Sequence, residues 1–238
     1  YNNDVNNEHG KFHNSGASSL GSNLSQDGKT GQLAASNTQK QTALTADGFK
    51  HSESSQSQST NFNQNTGSLQ ATNANTDIRV TADKTGERRE MSSGSSATDQ
   101  NKFGASNSNA QTNTVEYNQN GAKGSKTDSA AQSSQVNKDG TASNSNANAG
   151  TNTYLTADGH EVTESKASAA SMHQGQGGNS ASASNCGSSG ANNSKGNAGG
   201  FSSSYSSSSS SSFTNANGAT QSGSGCQSGT GSGGAPGV

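Results

Sequence analysis

Short turn-like segments, each containing a glycine, recur at a nearly constant interval through the first two-thirds of the chain. Successive glycines in this series are 17 to 20 residues apart. The series consists of Gly28, Gly48, Gly67, Gly86, Gly104, Gly121, Gly140 and Gly159. Several follow Asp or Asn, and such pairs favour tight turns because glycine adopts a left-handed backbone without strain. The interval therefore predicts regularly spaced turns that separate segments of about 14 residues.

Between the turns, residue type alternates with a period of two. Thr72, Ala74 and Thr76 alternate with Asn73 and Asn75. Such alternation places one set of side chains on each face of a β-strand. One face is predicted to carry Ser, Ala and Thr, and the other Asn or charged residues. Every second interval is also similar in sequence, so the larger repeat is roughly 37 residues.

These patterns predict an all-β fold, either a repetitive β-solenoid or a stacked array of antiparallel β-hairpins with turns about 19 residues apart. Of the two, a solenoid or two-layer stack is the preferred expectation, because a single isolated sheet would leave its Ser/Ala face wet. The predicted divisions are a polar N-terminal lead over 1–25, a β-repeat region over 26–172 and a Gly/Ser-rich, low-complexity tail over 173–238.

The composition argues against an ordinary globular domain. Only 23% of the 238 residues are hydrophobic, 13% are charged, and the chain has no Trp and one Pro. Backbone ordering opposes folding by about 1–2 kcal/mol per residue, which so little apolar surface does not offset within one chain. A formal net charge of -2 gives no electrostatic reason to expect binding to nucleic acid or an anionic membrane. Low charge and scarce Pro instead favour stacking between chains.

No catalytic, cofactor-binding or metal site is predicted, and we expect the protein not to be an enzyme. The five histidines stand apart in unlike contexts, and Ser is so abundant that coincidental Ser, His and Asp combinations carry no information. Cys186 and Cys226 lack the spacing of a zinc site. They are the predicted disulfide or interchain crosslink, which an oxidising, extracellular setting would favour.

The chain resembles the Ser-rich insect silk coat proteins, the sericins. The resemblance rests on Ser/Asn/Thr/Gly-rich repeats of similar length and on a Ser-rich tail that includes the serine run 206–212. It is one of composition, and the Asn content and low Tyr content differ from those of the sericins. It implies a secreted structural protein that self-assembles into β-sheet-rich fibre, silk, glue or coat material. The implied partners are further copies of the chain and other silk or matrix proteins.

A second, weaker likeness is to the flat β-solenoid antifreeze proteins of insects, which present ranks of Thr spaced by one residue. The candidate ice-binding residues are Thr72, Thr76, Thr112, Thr114, Thr151 and Thr153. Unbroken columns of Thr on an exposed face would favour this alternative. A third possibility, a disordered mucin-like spacer, predicts no sheet at all.

Overall fold

A computed structural model describes residues 1–155, 161–175, 178–192, 202–215 and 220–222, with side chains described within 1–155 and 162–174. All regular elements in these residues are β-strands. In chain order they are β1 (Asn2–Asn7), β2 (Gly10–Leu24), β3 (Thr30–Thr45), β4 (Gly48–Asn63), β5 (Ser68–Asp83), β6 (Gly86–Asn101), β7 (Gly104–Gln119), β8 (Ala122–Asn137), β9 (Ala142–Leu155), β10 (Glu161–Gly175), β11 (Gly178–Asn192), β12 (Ser202–Asn215) and β13 (Thr220–Ser222).

The strands form one open 13-stranded sheet in which every strand pairs antiparallel with the strands next to it in sequence. The prediction of an all-β array of antiparallel hairpins is thus confirmed. From β3 to β8 each strand has 16 residues. The equal lengths and regular turns keep the strands in register from one hairpin to the next.

The preference for a solenoid or two-layer stack is wrong, since the strands lie in a single layer. The described loops are short: two residues at 46–47, 84–85, 102–103 and 120–121, and four or five at 25–29, 64–67 and 138–141. Loops this short return the chain antiparallel beside the strand it has just left. In a solenoid, by contrast, strands of successive coils pair in parallel, and parallel neighbours are not joined by a two-residue loop.

This sheet has no core. Among the described side chains, no hydrophobic, polar or charged residue is buried. Leu20 is 75% exposed and Leu24 62% exposed. The expectation that the Ser/Ala face would be covered within one chain is therefore also wrong, and both faces of the sheet meet solvent.

The strand ladder extends beyond the predicted repeat region in both directions. β1 and β2 lie within the segment predicted as a polar lead, and β11 to β13 lie within the segment predicted as a low-complexity tail. β12 contains the serine run, which pairs along its length with β11. Repeating antiparallel ladders thus occur in segments that were not predicted to belong to the repeat region.

Candidate functional site

The two faces of the sheet differ in chemistry along their whole width. We call the face that carries Thr72, Ala74 and Thr76 the small-residue face, and the face that carries Asn73 and Asn75 the amide face. Strand register fixes which residues of the other strands share each face. The predicted alternation therefore holds on the small-residue face, whereas the amide face carries Asn and Gln mainly on β4, β5, β7 and β9 and small residues such as Gly94 and Ser96 on β6.

The middle of the small-residue face is uniform over nine strands. Three consecutive cross-strand rows, followed from β2 to β10, contain only Gly, Ala, Ser and Thr. We call these positions the small-residue field. Strand by strand, its members are Ala17, Ser19 and Gly21; Ala34, Ser36 and Thr38; Ser55, Ser57 and Ser59; Thr72, Ala74 and Thr76; Ser93, Ser95 and Ala97; Ser108, Ala110 and Thr112; Ser129, Ala131 and Ser133; Ser145, Ala147 and Ala149; and Ala167, Ala169 and Ser171.

Hydroxyl groups within the field bond to one another across strands. Ser19 Oγ lies 2.8 Å from Ser36 Oγ, and Ser133 Oγ lies 2.6 Å from Ser145 Oγ. Over β7 to β10, a shallow depression of about 410 Å³ is lined by Ala110, Ala131, Ala147 and Ala169 of the field among others, and one of about 440 Å³ is lined mainly by amide-face residues of the same strands. The centre of this face therefore carries no charge, and some of its hydroxyl groups are hydrogen-bonded to one another.

Charged side chains on the small-residue face lie outside the field, toward the strand ends. The described ones are Asp4, Lys11, Lys40, Glu53, Glu87, Arg89, Glu116 and Lys123 at one end and Asp99 at the other. Both acidic and basic groups occur along this rim, so it carries both signs.

The amide face carries longer and more polar side chains at the corresponding positions. Neighbouring strands align Asn109, Gln132 and Asn146 in one row, and Asn113, Asp128 and Lys166 lie in another. The Oδ1 atoms of Asn73 and Asn146 on this face lie within the layer without a hydrogen-bond partner. Amide ladders form between identical side chains stacked in register, and antiparallel neighbours of mixed Asn, Gln and Ser do not supply that arrangement.

The predicted turn glycines fall in two positions relative to the loops. Gly28, Gly67, Gly121 and Gly140 lie within loops and have φ values of 67°, 64°, 81° and 82°. Gly48, Gly86 and Gly104 are instead the first residues of β4, β6 and β7. Gly159 lies outside the described residues. The glycine interval thus identifies hairpins correctly while mixing two kinds of turn.

An Asp or Asn side chain organises six of the described turns. It lies near the start of the turn and accepts a hydrogen bond from the backbone N–H two residues later: Asn7 from His9, Asp27 from Lys29, Asn63 from Asn65, Asp83 from Thr85, Asn101 from Phe103 and Asp139 from Thr141. This is the Asx turn, which substitutes a side-chain oxygen for a backbone one. The turn at residues 8–9 was not predicted, because residues 1–25 were interpreted as a polar lead, although Gly10 stands 18 residues before Gly28 and continues the glycine interval.

Loops at the same end of the sheet also bond to one another. The backbone N–H of Gln64 donates to Lys29 O at 2.8 Å, and that of Lys138 donates to Phe103 O at 2.7 Å. At the opposite end, Asn120 N–H donates to Thr85 O at 2.7 Å. These bonds extend the ladder past the strand ends, so successive hairpins are linked at their tips as well as along their strands.

The candidate ice-binding threonines share one face but do not form unbroken columns. Thr76 and Thr112 lie in one row, separated by Ser93, and Ser129 and Ala149 continue it. The longest run found among them places Thr114, Thr127 and Thr151 on three adjacent strands. Thr72 is flanked by Ser59 and Ala97, and Thr153 by Ser125 and Thr163.

Only one of the two cysteines lies within the described residues. Cys186 lies in the middle of β11, where its Cα partners are Ala167 on β10 and Ser208 on β12. Cys226 lies outside the described residues. The predicted disulfide or interchain crosslink therefore stays a prediction.

One histidine makes the contacts expected of a catalytic relay, in surroundings that do not suit catalysis. His13 Nδ1 lies 2.5 Å from Asp4 Oδ1, and its Nε2 lies 3.2 Å from Ser15 Oγ. The Asp4 side chain is 68% exposed, and the group sits on an open sheet face whose backbone N–H groups belong to the ladder. A nucleophilic serine needs an oxyanion hole and a site that excludes water, and this face supplies neither.

No group of three or more metal-ligating side chains occurs among the described residues. The described part of the chain also has no helix long and apolar enough to cross a membrane. Comparison with known proteins gave no match to a family model, to a curated protein or to a solved structure.

Proposed function

We propose that this protein is a secreted structural protein that assembles with further copies of itself into β-sheet-rich fibre, glue or coat material. The observation that carries the proposal is a single-layered sheet with no buried side chain among the described residues. Folding is normally driven by apolar burial of about 25 cal/mol per Å². A lone layer gains little from that source, and isolated sheets normally need a packed face to be stable. Stacked copies would supply the packed face.

The regular geometry supports the same function. Strands of equal length in register present faces that repeat from one hairpin to the next, which suits extended stacking. The low charge and single Pro leave few groups that oppose such packing. Secretion and the possible incorporation of other matrix proteins rest on the sericin-like composition.

The test is to concentrate the purified protein at neutral pH and follow it by sedimentation, electron microscopy and diffraction. A reducing agent is included in parallel samples, so that crosslinking through cysteine is separated from stacking. Filaments or sheets with a repeat of about 4.7–4.8 Å between strands are expected with and without the reductant. A folded monomer that does not associate at any concentration contradicts the proposal.

The alternative function is ice binding, and the run of Thr114, Thr127 and Thr151 is the observation that favours it. Its test is an ice-growth assay on monomeric protein. Thr151→Lys is the test variant, and Asn152→Lys, one residue away on the amide face, is the matched control. Crystal shaping that is lost only in Thr151→Lys would support this alternative, whereas absence of any ice activity in the unmodified protein would exclude it.

A further inference from the structure

We propose that the surface through which two copies of the chain associate is the small-residue field, packed face to face against the same field of a second copy, with both amide faces directed outward. This inference rests on the proposed function, because it names the surface by which assembly begins. The occupant is a second copy of this chain rather than a different protein.

The size of the field matches what a stable contact between proteins requires. Nine strands at about 4.8 Å spacing and three same-face rows at about 7 Å spacing cover roughly 800–900 Å². Specific interfaces bury about 800 Å² on each partner. The field alone thus reaches the standard size, before any contribution from its rim.

The chemistry of the two faces determines which of them is covered. The field holds no charged side chain and none larger than Thr, so that two such surfaces approach closely without desolvating an ion. On the amide face, the rows directly behind the field carry amides such as Asn73 and Asn146, and the next row toward one strand end carries Asp77, Asp128 and Lys166. Burial of these groups, and of the amides beside them, is unfavourable unless each finds a partner. Solvent is therefore the better environment for the amide face.

The field can be paired with a second copy of itself by a two-fold axis. It runs from β2 to β10, so its central strand is β6. A two-fold axis along β6 lays strands β7 to β10 of one copy over strands β2 to β5 of the other. Each row of the field then lies over the same row of the second copy, so that Ala131 and Ala147 of one copy face Ser57 and Ser36 of the other. Such an interface is isologous, as in most two-fold dimers.

The charged rim does not oppose this contact. On the end rows of the small-residue face, Lys40 faces Glu53 on the next strand, and Arg89 faces Glu116. Mixed charges of this kind do not produce a field of one sign that would repel a second copy. They also lie at the edge of the contact, where they remain accessible to water.

The test compares two neighbouring alanines on β8 that lie on opposite faces. Ala131 is in the field, and Ala130 is on the amide face. Each is replaced by Cys in full-length protein carrying Cys186→Ser and Cys226→Ser, and labelling by a maleimide is measured before and after assembly. Assembly is expected to slow labelling at residue 131 by at least about tenfold and to leave residue 130 reactive. Equal protection at both positions, or preferential protection at residue 130, overturns the inference while leaving self-assembly intact.

Charge substitution at the same pair gives an independent result. Ala131→Lys is expected to abolish association, whereas Ala130→Lys is expected to associate as the unmodified protein does. Circular dichroism of both variants checks that the strands still form. Association of a folded Ala131→Lys protein overturns the inference. Failure of the unmodified protein to associate overturns both the inference and the proposed function.

Discussion

The ring of Tyr117 lies over the backbone of Gly124, its directly opposed partner on the next strand. A Cβ atom added to Gly124 would lie 2.5 Å from Tyr117 Oη and 2.6 Å from Thr153 O. Phe62 covers Gly31 in the same manner, with ring atoms 2.3 and 2.6 Å from the position of an added Cβ. Aromatic side chains thus shield strand glycines, a pairing that offsets the weak strand preference of glycine.

We expect Gly124→Ala to destabilise the sheet by about 1–3 kcal/mol, because the ring of Tyr117 and a backbone oxygen must both move. Gly21→Ala is the matched control, since an added Cβ there meets nothing within 4 Å. The control is expected to be neutral or to stabilise by up to about 1 kcal/mol. Urea denaturation of both variants measures the difference, and equal effects would contradict the role given to Tyr117.

Gly121 tests the contribution of backbone conformation without any steric contact. Its φ is 81° and no atom lies within 4 Å of an added Cβ. Gly121→Ala is expected to destabilise by about 1–2 kcal/mol, the cost of a left-handed backbone in an L-residue. Gly121→Asn is expected to lose less stability, because Asn tolerates the left-handed region and Asn120 already adopts it with a φ of 52°. Thermal unfolding ranks the variants, and an Asn variant no better than Ala would contradict the explanation.

Acidification is expected to weaken the turns. Hydrogen bonds from the hydroxyl and the N–H of Thr85 lower the pKa of Asp83, a bond from Ser25 lowers the pKa of Asp27, and bonds from Thr141 lower the pKa of Asp139. Since the folded pKa values lie below the unfolded ones, the unfolded chain takes up protons first as the pH falls. Stability is therefore complete above the ordinary value of about 4 and is lost as the pH falls through the lower folded values.

Asp83→Asn isolates this effect, because an amide oxygen still accepts the Thr85 N–H but does not titrate. At neutral pH the variant is expected to unfold near the temperature of the unmodified protein. Between about pH 5 and pH 2 its unfolding temperature is expected to fall less steeply. Identical pH profiles for the two proteins would show that Asp83 does not contribute to acid sensitivity.

Two asparagines allow a comparison between a side-chain amide that lacks a hydrogen-bond partner and one that has a partner. Asn146 Oδ1 has no hydrogen-bond partner, whereas Asn137 Nδ2 donates to Thr141 Oγ1 at 2.8 Å. Asn146→Ala is expected to be neutral or stabilising by up to about 1 kcal/mol, because it removes an unpaired acceptor. Asn137→Ala is expected to destabilise by about 0.5–1.5 kcal/mol. Denaturant unfolding distinguishes them, and a larger loss at Asn146 would indicate an acceptor role that the layer does not explain.

The hairpin interval and the two faces could be predicted from the sequence because both are local properties. The glycine spacing reflects loop geometry, and the alternation at Thr72, Asn73 and Ala74 reflects the pleat. The choice between a solenoid and a meander could not be made in this way, since both have the same two-residue period. The turn at Gly10 was not predicted because the polar composition of residues 1–25 gives no strong alternation, and the Asx acceptor Asn7 that forms this turn becomes evident only in the structure.

The small-residue field could not be predicted from the sequence, for a different reason. Each strand shows only three of its members, and nothing in a single strand such as Ser55, Ser57 and Ser59 predicts what will lie opposite. The uniform patch becomes visible only when the register of nine strands is known. The same register shows that Ser and Ala interrupt the rows of threonine across the strands. The spacing of Thr112 and Thr114 along one strand does not predict this interruption.

Because every strand contacts only the strands before and after it, the molecule is close to a one-dimensional polymer of hairpins. In such arrays the free energy of folding is nearly a sum of strand terms and nearest-neighbour terms. Removing or duplicating two consecutive strands leaves the direction, the face and the register of all others unchanged. The number of hairpins is thus a free variable in this architecture, and chains of different length can share one surface and one mode of contact.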